Sequence, residues 1–245
     1  MTLAIALRAR GGLVMASDSR MTVADPAHGI LATRDFSDKF LQVNRDVGVM
    51  TYGLAEPGNR GILRLVAEAA KDRRAFATYP GVVESATPIF RSVWEEFVSE
   101  SGSPPQGTVA FVVGGYDMVE TNQYRVTHFS LAGNFAAEPR DQPVFLSAQW
   151  HLSQYLADLL YSQEMTVDTV KELAVLMLTA TGEASPGVGG PIQLATVTAA
   201  TGFRQAHEDE ILSVLSRNES RFALLKGCLL RQFLRVREQE EGNDV

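Results

Sequence analysis

Thr2 stands directly behind the initiator methionine. Methionine is generally removed when the next residue is small, and its removal would leave a hydroxyl and a free α-amine on adjacent carbons. An α-amine titrates at about 7.7–8.0, so near pH 7 a useful fraction is neutral and can accept the hydroxyl proton, directly or through a water. A lysine amine, at about 10.4, is a poor base without help. A nearby cation would lower the terminal amine further, and a carboxylate would hold that cation in place. The sequence offers lysines and aspartates for both parts. The chemistry in view is acyl transfer by a nucleophile that carries its own base. The plainer reading is a buried hairpin that happens to lie at the terminus.

Other chemistries lack their residues. There is no His-x-x-x-His or Cys-x-x-Cys, so no metal site is advertised and no cofactor is expected. His28, His128, His151 and His207 are scattered and read as surface or structural. No Gly-x-Ser-x-Gly elbow and no Walker motif occurs. Gly187-Val188-Gly189-Gly190 has no strand feeding it and no helix after it, and reads as a plain loop. Cys228 cannot form an internal disulfide and reads as a reduced thiol in a helix core.

The elements that must position Thr2 begin at once. Leu3, Ile5, Leu7 and Ala9 alternate with Thr2, Ala4, Ala6 and Arg8, which predicts a strand, and Leu13–Ala16 a second one beyond the Arg10-Gly11-Gly12 turn. Thr22–Asp38 reads as polar and irregular. Lys39–Val43 and Val47–Tyr52 read as strands joined at Asn44–Asp46. Helices are expected over about Asn59–Lys71 and Val82–Glu100, and strands over Thr108–Gly115, Tyr124–Leu131 and Pro143–Leu146. Helices then follow over about Ala148–Tyr161 and Val167–Thr181, the Glu183–Pro191 loop, strands Ile192–Thr198 and Gly202–Gln205, and a long helix over about 208–240. Hairpin-joined strands alternating with helix pairs indicate an α+β fold of antiparallel sheets covered by helix layers. No repeat or linker is visible, so residues 1–245 are expected to form one domain.

The run from Thr2 through Gly12-Leu-Val-Met-Ala-Ser-Asp18-Ser-Arg-Met-Thr22 resembles the opening of proteasome β-type subunits, as do Lys39-Phe-Leu-Gln-Val and Val49-Met-Thr-Tyr-Gly53-Leu-Ala. In that family of N-terminal nucleophile (Ntn) hydrolases the threonine is followed sixteen residues later by an aspartate, as Thr2 is by Asp18. A glycine lies fourteen residues past the family's lysine, as Gly53 does past Lys39. The resemblance implies a four-layer αββα sandwich of two antiparallel sheets. It implies Thr2 as nucleophile and base, Lys39 tuning the amine, Asp18 orienting Lys39, and the Gly53 N–H steadying the oxyanion. Ser147, in Leu146-Ser147-Ala148 where the family has Gly-Ser-Gly, takes a supporting place. Thr22 matches the residue whose backbone pairs with substrate, and Met21, Thr51 and Ala55 the first specificity pocket, which would be apolar on one side and without an acid. Glu183 or Ser185 stands where the family's Asp-x-x-Ser loop supports the N-terminus. Ser185–Ile192 and the long last helix resemble the bacterial homologue Anbu more than HslV or the 20S β subunit. The stretch between Asp18 and Lys39 is longer than in β subunits, which bears on the groove, and no propeptide stands before Thr2 in this sequence. Taken singly, Asp18 also reads as a turn cap, Lys39 as a solvated edge charge, and Gly53 as a position needing positive φ.

The function implied is a threonine peptidase of a proteasome-like homo-oligomer, a ring or a spiral, acting on peptides or unfolded proteins, with any ATPase unfoldase a separate partner. A silent scaffold subunit and an amidase of small substrates are the alternatives. The scaffold subunits of the family carry a helical extension ahead of the first strand, which this sequence lacks. Trp94, Phe97, Leu159 and Leu160 serve equally as subunit contacts or as core. With 245 residues, 45% hydrophobic and net charge −7, the chain has no basic excess to neutralise phosphates, and nucleic acid is not an expected partner. The first apolar run is short and broken by Arg8 and Arg10, no segment has the length to cross a bilayer, and the expected compartment is the cytosol.

Overall fold

The computed structural model describes residues 2–25, 29–53, 62–70, 74–101, 109–147 and 151–221. Ala4–Ala9 (β1) and Gly12–Asp18 (β2) pair antiparallel, with Ala4 opposite Ser17 and Ala9 opposite Gly12. Both faces of this hairpin are buried, which is why its sequence is almost continuously apolar. Val144–Leu146 (β10) flanks β1, and Ile192–Thr198 (β11) followed by Gly202–Gln205 (β12) flank β2, giving the order β10-β1-β2-β11-β12.

The second sheet runs Phe40–Gln42 (β5), Val47–Gly53 (β6), Val109–Asp117 (β7), Gln123–Ser130 (β8) and the two-residue Glu138–Pro139 (β9), in that order and antiparallel throughout. Ala4, Ala6, Leu13 and Met15 of the first sheet meet Met50, Val112 and Val126 of the second. The opposite face of the second sheet, with Val47, Val49, Phe111 and Phe129, is covered by Tyr79–Ser101 (α2) and Ile62–Ala70 (α1). His151–Leu160 (α3) and Val167–Ala184 (α4) cover the first sheet. The architecture is therefore helices, sheet, sheet, helices. Phe97 is core and Trp94 is half-buried against it, whereas Leu159 and Leu160 are exposed. Among the described residues no helix is long and apolar enough to cross a membrane.

One stretch read as irregular is ordered differently. Met21–Asp25 (β3) and Gly29–Arg34 (β4) form an antiparallel ribbon of their own, with Met21 opposite Arg34, Thr22 opposite Thr33, and a register shift between Val23 and Ala24. A two-stranded ribbon outside both large sheets needs no apolar alternation, so its sequence carries no strand signal. β9 escaped notice because two residues have no period. Residues from His207 onward form a second unit, described as a helix over 208–221 in which Arg217 donates to Ser213 Oγ one turn back. Cys228 and the rest of the expected long helix lie outside the described residues.

The two sheets approach closely because glycine lets them. A Cβ on Gly48 of β6 would overlap the Phe203 ring of β12. Gly48→Ala is expected to lower unfolding free energy by about 1–3 kcal/mol, since an extra carbon in a filled core forces neighbours off their rotamers. Adding Phe203→Leu should recover part of the loss in urea denaturation. Strict additivity of the two losses would contradict this contact.

Candidate active site

The beginning of β1 is held from two sides. Ser147, just past the end of β10, donates its hydroxyl to the Thr2 carbonyl at 3.0 Å and accepts the Ala4 N–H at 2.8 Å. Its own N–H bonds the Ala4 carbonyl at 2.9 Å. On the other side Asp18, at the end of β2, accepts the Leu3 N–H at 3.0 Å through Oδ1. The Thr2 residue between these anchors is buried, 6% exposed. The alternation of β1 puts it on the side of Ala4 and Ala6, which face the second sheet.

Asp18 and Lys39 are both inside the protein, 1% and 0% exposed. Lys39 is therefore not a solvated edge charge, and Asp18 is not merely a turn cap. Burial pushes the Asp18 carboxyl up from 3.8 to about 6, against the Gly189 N–H at 3.1 Å, the Leu3 N–H and the Lys39 charge, all of which favour its ionised form. The segment before β5 is fixed by Gln193 of β11, whose Oε1 accepts the Lys39 N–H at 2.9 Å and whose Nε2 donates to the Ser37 carbonyl at 2.7 Å. The Lys39 carbonyl in turn accepts the Thr51 N–H at 3.0 Å.

The loop after α4 contributes backbone rather than the side chains expected of it. Glu183 is exposed, and the Ser185 carbonyl accepts the Val188 N–H. Neither side chain bonds Asp18; the Gly189 N–H does. So the glycine-rich loop is part of the site. Arg20 fastens it: the guanidinium pairs with Asp35 through Nε at 2.9 Å and Nη2 at 3.2 Å, and Nη1 donates to the Pro186 carbonyl at 3.1 Å. The Arg20 N–H also donates to the Gly189 carbonyl at 2.9 Å. A Cβ on Gly189 would fall 2.7 Å from the guanidinium carbon, so only glycine sits there without displacing it. Gln193, Arg20, Asp35 and Gly189 were missed from sequence because each acts through a contact remote in the chain.

Gly53 closes β6 at φ +92°, a conformation that L side chains rarely adopt. Met21 lies in β3 and is half-buried, and Thr22 follows it in the ribbon. Thr51 shares the face of Val47 and Val49, toward α1 and α2, and its hydroxyl donates to the Ala110 carbonyl at 3.2 Å. Ala55 lies outside the described residues. Thr2, Asp18 and Ser147 thus meet at the start of β1, joined by a backbone N–H from the glycine loop, and the buried Lys39 lies close enough for its charge to favour the Asp18 carboxylate. Among the described residues no group of His, Cys, Asp or Glu could hold a metal ion.

A sequence profile of the proteasome subunit family matches residues 2–197. The chain belongs to the proteasome family. Solved structures of Anbu proteins share the fold. Anbu (ancestral beta-subunit) from Yersinia bercovieri superposes with a TM-score of 0.67 at 17% identity, over 93% of this chain and 97% of that one. The Anbu complex from Pseudomonas aeruginosa, described as a helical assembly, gives 0.68 at 18%, over 94% and 96%. Anbu from Hyphomicrobium sp. strain MC1 gives 0.63 at 18%, over 93% and 96%. No curated protein matches by sequence. At these identities the Anbu likeness is one of fold, and the proteasome-family fold is the one the sequence motifs implied.

The raised Asp18 carboxyl makes stability pH-dependent with a definite sign. An acid whose folded pKa lies above its unfolded one favours folding while protonated, an advantage complete below about pH 4 and lost as pH rises through about 6. Relative to Asp18→Asn, which does not titrate, the native protein is expected to lose roughly 3 kcal/mol of unfolding free energy between pH 4 and pH 7. Urea titrations of both proteins across that range check it. A constant difference between them would mean that Asp18 is not desolvated.

Proposed function

We propose that this proteasome-family chain is a threonine-type N-terminal nucleophile hydrolase that cleaves peptide bonds after loss of Met1. The observation that carries the reading is the fully buried Lys39 beside the desolvated Asp18, whose carboxylate is bonded to the amide next to Thr2. A scaffold that did no chemistry would gain nothing from burying this pair, because a buried ion pair is seldom better for stability than apolar packing. Perturbed carboxylates with a specific charge partner cluster where chemistry is done.

In this reading the Thr2 Oγ attacks the scissile carbonyl carbon and its proton passes to the terminal amine. The resulting oxyanion is met by the Gly53 N–H, a donor typically worth about 3 kcal/mol in the transition state. The C–N bond then breaks, the ammonium returns its proton to the departing amine, and an ester to Thr2 remains. Water gives a proton to the same amine as it attacks that ester, releasing the acid and restoring the hydroxyl. The Lys39 charge keeps the amine's pKa low, Asp18 holds the lysine, and Ser147 fixes the Thr2 carbonyl so that the hydroxyl keeps its aim. The acyl part of the substrate lies along Met21 and Thr22, with Met21 and Ala55 selecting an apolar side chain.

A nucleophile of this generality needs seclusion from other cytosolic proteins, and a homo-oligomer supplies it. Leu152, Tyr155 and Leu159 are exposed at helical spacing along α3, an apolar stripe suited to a second copy. A separate ATPase would have to feed folded substrates.

Amino-terminal sequencing should find Thr2 first. Thr2→Ala should abolish hydrolysis of fluorogenic peptides with an apolar residue before the cleaved bond, at least ~10³-fold below native, while Thr2→Ser retains measurable turnover. Retained Met1, or activity surviving Thr2→Ala, would overturn the reading.

A further inference from the structure

A cleft of about 640 Å³ opens beside the Thr2 anchor, and the hydrolytic reading leaves it unused. Ser147, the residue that holds the Thr2 carbonyl, lines it, together with Phe145, Tyr52, His128 and Arg140. We propose that this cleft receives the leaving side of the substrate and selects a leaving segment that carries a carboxylate about two residues beyond the cleaved bond. The proposal rests on Thr2 acting as the hydrolase nucleophile.

Sheet order places the cleft. β1 lies between β10 and β2. Ser147 follows β10, whereas Met21 and Thr22 follow β2, so the cleft and the acyl-side residues lie on opposite flanks of Thr2. A chain crossing Thr2 with its acyl half along Met21 must carry its amine half toward Ser147.

Charge identifies the ligand. In a protein of net charge −7, no Asp or Glu lines this cleft among the described residues, and Arg140 is the only described lining side chain that is positive at every physiological pH. Its guanidinium is held ready. Nη2 donates to Glu138 Oε2 at 2.7 Å and to His128 Nδ1 at 3.0 Å, and the guanidinium carbon stands 5.9 Å from the centre of the Phe145 ring. Nη1 has no hydrogen-bond partner among the described residues. With Nη2 engaged twice and Nε buried, Nη1 is the open donor; it can meet a carboxylate with a single charge-assisted hydrogen bond, and its fixed placement lowers the ordering cost of binding.

The neighbouring residues are tied into the same network. Burial holds the His128 pKa below the usual value, so the ring is neutral at pH 7. Its Nδ1 stands 3.1 Å from Glu138 Oε2 and 3.0 Å from Arg140 Nη2, and its Nε2 meets the Tyr52 oxygen at 2.7 Å, which fixes the guanidinium against the rings. Register sets the reach. Phe145 pairs with Ala6, and Ser147 is two residues further along. At about 3.3 Å per extended residue this spans roughly 7 Å, the length of two substrate residues.

Calorimetry on Thr2→Ala protein, which cannot consume its ligand, tests the proposal. The probes are acetyl-Ala-Ala-Leu-Ala-Ala as the free acid, the same peptide as the C-terminal amide, and an amide with Glu in the last position. The free acid should bind about 10-fold tighter than the plain amide, because a charge-assisted hydrogen bond replaces a neutral contact. The Glu amide distinguishes a side-chain carboxylate from the terminal one. Added salt should shrink the preference, and Arg140→Gln should remove it. Equal binding of acid and amide, no binding of either at millimolar concentration, or a preference that survives Arg140→Gln would overturn the proposal. Should Arg140→Gln fail to fold, the acid–amide comparison in the Thr2→Ala protein decides alone. A carboxylate preference in a protein that hydrolyses none of these peptides would keep the cleft as a carboxylate site and overturn the peptidase reading instead.

Discussion

The Asp18 carboxylate is the point on which the site turns. Removing a carboxylate from water is costly unless hydrogen bonds and charge replace the lost solvent. Here the replacements come from three separate places: the Leu3 N–H at the start of β1, the Gly189 N–H in the loop after α4, and the Lys39 charge ahead of β5. One buried anion therefore ties together the chain's beginning, the glycine loop and the lysine. The same burial leaves the carboxyl at about 6, near neutrality, so the array is sensitive to anything that shifts its surroundings.

Around that centre, the structure works by holding backbone rather than by adding reactive side chains. Ser147 uses one hydroxyl to accept from Ala4 and donate to Thr2, so the first residues cannot fray as most termini do. Gln193 brackets residues 37–39 with both ends of its amide. Arg20 and Asp35 bind the β2–β3 connection to the loop that reaches Asp18. Each restraint removes a degree of freedom from Thr2 or from the charges near it, and a nucleophile gains rate from such orientation. The two-sheet core supplies the rigidity, and its close approach at Gly48 and Phe203 sets the spacing.

Much of this was legible in the residues, and the rest was hidden for identifiable reasons. β1, β2, β11 and β12 were readable because each is buried by strands with a clear apolar pattern and ended by Gly, Asp or Thr-rich turns; β11 and β12 fall on the expected residues, Ile192–Thr198 and Gly202–Gln205. The β3–β4 ribbon was not, because it lies outside the large sheets and has no core face to impose alternation. The nearness of Asp18 and Lys39 was legible only through their spacing from Thr2 in a known family, since no local rule brings them together. Gly189 and Gln193 left no signal at all. The first meets Asp18 from 171 residues away and the second meets Lys39 from 154, and which N–H meets which side-chain oxygen is decided by sheet order. The loop that carries Ser185 reaches Asp18 through the Gly189 N–H, a main-chain contact that no side-chain pattern announces.

The central claim, that Thr2 is a nucleophile prepared by the buried Asp18 and Lys39, is tested most directly by covalent capture. The Met1-free protein would be treated with a β-lactone acylating agent at pH 7.5, digested, and the adduct mapped by mass spectrometry, alongside Asp18→Asn. The account predicts a single ester on the Thr2 hydroxyl, formed at least ~10-fold more slowly in the variant. An adduct elsewhere, none on a chain that begins at Thr2, or equal labelling of the two proteins would contradict it.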